Sequence, residues 1–115
     1  MPTPKQDIET VLSKAKLDDL MNDLGLKHPI SRDFIAYALA NVLLFERKHN
    51  DYGPDNIKEF MAVGCLVRMS DKFSRLKHLY NNRRKRATNE SITDSWRDLS
   101  NYCIIAMLCE DSLWR

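Results

Sequence analysis

The stretch Ala62 to Asn81 reads A-V-G-C-L-V-R-M-S-D-K-F-S-R-L-K-H-L-Y-N. Laid out at about 100° per residue, Ala62, Leu66, Met69, Phe73, Leu76 and Tyr80 fall within roughly 40° of one line. A strand would need apolar residues at every second position, and this run does not supply them. The segment therefore predicts a helix from about residue 62 to 81, with that line as its packing stripe. Outward from it, the same period recurs. Ser91 or its neighbour opens a helix carrying Ile92 through Leu113, after a polar, loop-like segment at 82–90. On the N-terminal side, Ser31 reads as the N-cap of a helix reaching about His49, and Gly53-Pro54 breaks the chain before a short turn through Phe60. Ile8, Val11, Leu12, Ala15, Leu20 and Leu24 predict one first helix from about Asp7 to Leu24, ended by Gly25 and blocked by Pro29. All long segments are helical, so the fold class is all-α, a four-to-five-helix bundle.

With 115 residues the chain reads as one domain, large enough to bury roughly 65% of its unfolded surface. Hydrophobic residues make up 43% and charged residues 30%, which excludes a disordered chain. Three cysteines (Cys65, Cys103, Cys109) form no complete disulfide set and no zinc spacing. They suit a reducing compartment. No signal-like apolar segment opens the chain and no run of eighteen apolar residues occurs, so a cytoplasmic protein with no membrane partner is expected. The net charge of +2 lacks the excess of a nucleic-acid binder, and Arg83, Arg84, Lys85 and Arg86 read as a solvated connection. From Phe34 to Phe45 the second helix is apolar nearly all round. Such a helix is central to a bundle or buried by a second subunit, which points to a two-fold homo-oligomer, a dimer or tetramer.

Acids on apolar lines mark the candidate chemistry. On the last helix Asp94, Asp98, Asn101, Ile105 and Leu108 share a line whose C-terminal half is inward. On the second helix Glu46 shares a face with Ile35, Leu39 and Val42. Half-buried carboxylates need a partner, and a hard cation such as Mg²⁺ is one solution. For Asp94, in the first turn, complementing the helix dipole is the competing reading. Asp71 lies opposite the packing stripe, flanked by Arg68, Lys72 and Arg75, either in a surface ion pair or facing a second cavity. The segment Lys48 to Gly53, K-H-N-D-Y-G, sets a lysine and a tyrosine beside a turn, suited to meeting a phosphate and stacking on a base.

K-H-N-D-Y-G at 48–53, V-R-M-S-D-K-F-S-R-L at 67–76 and N-E-S-I-T-D-S-W-R-D-L-S-N-Y-C-I-I-A at 89–106 resemble the phage-associated nucleotide modification associated domain family. The family-like part spans 31–112, with residues 1–30 as an N-terminal helical extension. That family is in turn distantly similar to the all-α nucleoside triphosphate pyrophosphohydrolases of the MazG and dimeric dUTPase kind. The resemblance implies an all-α pyrophosphohydrolase-like fold and a nucleotide ligand. It also implies Mg²⁺ held by Glu46, Asp71, Asp94 and Asp98, and substrate contacts from Lys48, Asp51, Tyr52, Asn56, Arg68, Lys72, Arg75 and Asn101. Metal clamping of phosphate oxygens is how such enzymes stabilise charge in the transition state. The pyrophosphohydrolase pattern of E-x-x-E followed by E-x-x-D is absent, replaced by Asp71 and an Asp94/Asp98 pair at i, i+4. Two functions follow as expectations. One is Mg²⁺-dependent nucleotide pyrophosphohydrolysis. The alternative is sequestration of a nucleotide, such as a signalling nucleotide of host defence, without turnover.

Overall fold

The computed structural model describes residues 2–82 and 89–115. The basic run Arg83 to Arg86 lies outside the described residues. Six helices and no strand occur among the described residues: α1 (Pro4–Val11), α2 (Lys14–Asp23), α3 (Pro29–Tyr52), α4 (Asp55–Lys58), α5 (Met61–Asn81) and α6 (Asn89–Glu110). No helix among them is long and apolar enough to cross a membrane. The chain divides into two compact units, Met1–Arg47 and Lys48–Arg115, with the boundary inside α3.

In the first unit, the single helix expected over 7–24 is two. Thr3 starts α1 with a reciprocal capping box. Its Oγ1 accepts from the Gln6 amide at 3.2 Å, and its own amide donates to Gln6 Oε1 at 2.7 Å. Leu12 then takes an extended conformation, and Ser13 Oγ caps α2 through the Lys16 amide at 3.2 Å. The apolar line through Val11, Leu12 and Ala15 hides this break, because side-chain period is blind to a serine competing for backbone amides. Gly25 ends α2 as expected. With φ +67° it supports a Schellman closure, in which Leu26 N bonds Met21 O and Gly25 N bonds Asn22 O. Pro29 opens α3 rather than only barring α2, so Ser31 lies inside the first turn instead of capping it. Asp7 is buried and meets Arg47 in a two-pronged ion pair, both contacts at 3.1 Å. Along α3 the buried residues are Ala36, Ala40 and Leu44, while Phe34 is 77% exposed and Tyr37 and Val42 are exposed. Ile35, Leu39, Leu43 and Phe45 are half-buried, so within the single chain the helix is enclosed most deeply along the Ala36–Ala40–Leu44 line and leaves Phe34, Tyr37 and Val42 open.

In the second unit, α5 and α6 pack against one another, and α4 rests on α5. Tyr80 meets Trp96 at one end, with Trp96 Nε1 donating to the Tyr80 hydroxyl at 3.1 Å, and Cys65 meets Cys109 at the other. The two helices therefore run antiparallel. Gly53, at φ +67°, closes α3 by donating to His49 O. The C-terminus is tied to that turn: Trp114 Nε1 donates to Pro54 O at 3.1 Å, and its ring stands edge-on to His49 at 5.2 Å. The packing face of α5 overlaps the expected line in part, for Leu76 is buried and Ala62 and Met69 half-buried, but its centre lies elsewhere. Cys65 and Leu76 are buried and Met61, Arg68, Met69, Lys72 and Leu79 half-buried, whereas Leu66 is 67% and Phe73 48% exposed. This face is turned about 80° from the apolar line at 100° per residue. Arg68 and Lys72 lie on it because long basic side chains cover apolar surface with their stems while the charged ends reach water.

Candidate functional site

Turning α5 by that angle brings its cations to the border with α6. Arg68, Lys72 and Arg75 recur at i, i+4 and i+7, so they lie along one side of the helix. Together with Asp71 and with Tyr102 of α6 they line an open cleft of about 450 Å³. Arg68 Nη2 donates to Asn56 O at 3.3 Å, fastening the start of α4 to the cleft. Neither Arg75 nor Asp71 makes an ion pair among the described residues. Three cations, one carboxylate and one phenol ring give a surface that attracts an anion carrying a flat apolar group.

Beside the cleft sits a second arrangement. Asp98 of α6 is reached by two ammonium groups: Lys48 Nζ lies 2.7 Å from Oδ1 and Lys72 Nζ 3.0 Å from Oδ2. The Asp98 side chain is only 13% exposed. Burial pushes its pKa up, but hydrogen bonds from Lys48 and Lys72 and the charges of both outweigh burial. The carboxyl is held below its ordinary value.

The remaining candidates are placed as follows. Asn101 is half-buried on α6, while Asp94 is exposed. Asp51 and Tyr52, in the last turn of α3, are exposed and do not line the cleft. Asn56 contributes its backbone carbonyl to Arg68. Glu46 belongs to the first unit and is exposed. Among the described residues, no three His, Cys, Asp or Glu side chains come together where they could hold a metal ion. Both Asp98 oxygens are engaged by lysines. Tyr102 is the lining residue that sequence reading missed. It lies at i+4 from Asp98, a spacing that would have placed it beside an acid already judged inward.

Residues 48–109, over half of the chain and nearly all of the second unit, match the model of a family described as nucleotide modification associated domain 1. The chain belongs to the nucleotide modification associated domain 1 family. No curated protein and no solved structure matches it. The match contains both the cleft and the Lys48–Asp98–Lys72 arrangement, so the polar features of this nucleotide modification associated domain come from the family segment itself. The first unit lies outside it.

Proposed function

We propose that the chain binds a nucleotide, with its phosphates on Arg68, Lys72 and Arg75 and its base against Tyr102. One observation carries this: three cations on one side of α5, with Arg75 in no ion pair among the described residues, border a cleft that also holds an aromatic ring. Its volume of about 450 Å³ lies within the usual range for small-ligand sites. Membership of a nucleotide-associated family supports the same ligand class. Mg²⁺-dependent pyrophosphohydrolysis is the activity that a distant kinship of this family with MazG-type enzymes would bring, and Asp71 is the carboxylate in the cleft that would serve it. Binding without turnover is the reading we favour, because Lys48 and Lys72 occupy the two oxygens of Asp98, the most enclosed of the candidate metal ligands. Incubation of the purified protein with a nucleotide panel, with and without Mg²⁺, tests this. Recovery of an intact, retained nucleotide after denaturation is the expected result. Release of pyrophosphate would favour the enzyme, and retention of no nucleotide would sink both readings.

A homo-oligomer, dimer or tetramer, and a location in the cytoplasm (of the host cell, if the chain is phage-encoded) belong to the same proposal. Exposed Phe34, Ile30 and Tyr37 in the first unit, and Val63, Leu66, Val67, Ile104 and Met107 in the second, support the oligomer. The three free cysteines, one of them exposed, support a reducing compartment. Light scattering that returns a 13.5 kDa particle at micromolar concentration would contradict the oligomer.

A further inference from the structure

Asp98 spends two lysines where one would neutralise it. A carboxylate this far out of water is costly to keep charged, and a single close ammonium group with further hydrogen bonds is the usual remedy. Here Lys48 and Lys72 arrive from different helices, one on each oxygen, at 2.7 and 3.0 Å. The trio carries a net charge of one positive unit. Lys72 also lines the cleft. A lysine head on a four-carbon stem is otherwise free to wander, and fixing it costs rotamer entropy each time a ligand is bound. Held against Asp98, the Lys72 ammonium has met that cost before any ligand arrives, and it has donors left over for an incoming oxygen.

We infer that Asp98 is a positioning residue, which fixes the Lys72 ammonium at the cleft for a phosphate group and does not itself ligate a metal. The inference rests on the reading of the cleft as a nucleotide site. Three roles for Asp98 differ in the sign of one substitution. If Asp98 positions Lys72, Asp98→Asn weakens anion binding although it makes the site one unit more positive. If Asp98 merely lowers the local potential, the same change tightens binding. If Asp98 ligates Mg²⁺, the change is felt only when Mg²⁺ is present.

The test is titration calorimetry with ADP and with inorganic pyrophosphate, in chelator and again with Mg²⁺. The proteins are wild type, Asp98→Asn, Asp98→Glu, Lys72→Met, the Lys72→Met/Asp98→Asn double variant, and Arg75→Ala. Asp98→Asn is expected to weaken binding about fivefold or more in chelator, with much of the loss restored by Asp98→Glu. On the Lys72→Met background Asp98→Asn should change affinity by less than about twofold, since its effect runs through that lysine. Equal or tighter binding by Asp98→Asn in chelator overturns the inference, as does an undiminished effect without Lys72. If Arg75→Ala weakens binding and Asp98→Asn does not, the positioning role alone falls. If wild type binds neither probe, the reading of the cleft falls with it. Should Asp98→Asn not fold, proton–nitrogen correlation spectra of the lysine ammonium groups decide in the ligand-free wild type. Ordered, slowly exchanging Lys48 and Lys72 signals are expected, and signals averaged like those of surface lysines overturn the inference.

Discussion

Replacing Arg75 by alanine separates binding from folding. Arg75 is exposed on α5, borders the cleft and makes no ion pair among the described residues. Its removal should therefore change stability by no more than about 0.5 kcal/mol, as for other surface substitutions. Toward a phosphate its guanidinium can place two parallel donors, and we take about 1.5–3 kcal/mol, the contribution of one hydrogen bond to a charged group, for the pair together. The cleft is open to water, which screens the interaction, so the lower end applies. About 1.5 kcal/mol corresponds to roughly a tenfold rise in Kd. Arg75→Lys keeps the charge and loses the fork, so its affinity should fall between the two. Calorimetric titration of ADP at low and near-physiological salt reads both parts, because the wild type should lose more affinity with salt than Arg75→Ala does. Unchanged ADP affinity in a folded Arg75→Ala protein at low salt would refute the assignment of phosphate to this side of α5. A large drop in melting temperature would instead show that Arg75 has a structural partner.

Gly64→Ala should destabilise, although alanine ordinarily favours a helix interior by about 1 kcal/mol over glycine. A Cβ there would lie 2.9 Å from Phe60 Cβ, an atom fixed to the backbone, so α4 or α5 must shift; a melting temperature above wild type would contradict this. A thiol reagent should titrate Cys103 rapidly in the native protein, and Cys65 and Cys109 only on unfolding. The latter two are buried, and burial raises both thiols above their ordinary pKa; three fast-reacting thiols would contradict this. The lowered pKa of Asp98 means that its ion pairs add stability above the unfolded carboxyl value near 3.9, and lose it as pH falls through the lower folded value. The stability gap between wild type and Asp98→Asn should accordingly be constant above about pH 5 and shrink below about pH 4, where a constant gap would show that the lysine pairs do not set it.

Much of the helical order was legible because it is written in local chemistry. Gly25 and Gly53 terminate helices through left-handed backbone that glycine adopts freely, and both ends fall where their sequence places them. The break at Leu12–Ser13 was not legible from period, since the apolar residues on either side continue one line across it. Ser112 repeats the closure made by Gly25: at φ 58° it lets Leu113 N reach Leu108 O, so the last helix stops at Glu110 instead of running on to Leu113. A serine in that conformation carries no signal of the kind a glycine does.

The site was legible in part for a related reason. Helical spacing alone puts Arg68, Lys72 and Arg75 on one side of α5, and it puts Asp98 on the inward line with Ile105. What spacing cannot supply is which side of α5 meets α6. A hydrophobic stripe drawn through Leu66 and Phe73 discards arginine and lysine as solvent-facing, yet the packed face runs through Arg68 and Lys72. The error has a chemical consequence. With the cations assigned to water, an inward Asp98 has no visible counter-charge, and a metal ion becomes the natural supposition. With Lys72 on the packed face, and Lys48 supplied from fifty residues earlier in the chain, the same carboxylate is already answered twice. The apolar line displaced in this way is left on the outside of the second unit, where Leu66 and Phe73 remain exposed in the single chain. One rotation of α5 thus accounts for both the basic cleft and the uncovered apolar surface, so a substitution that restored the expected packing face would be expected to dismantle the cleft.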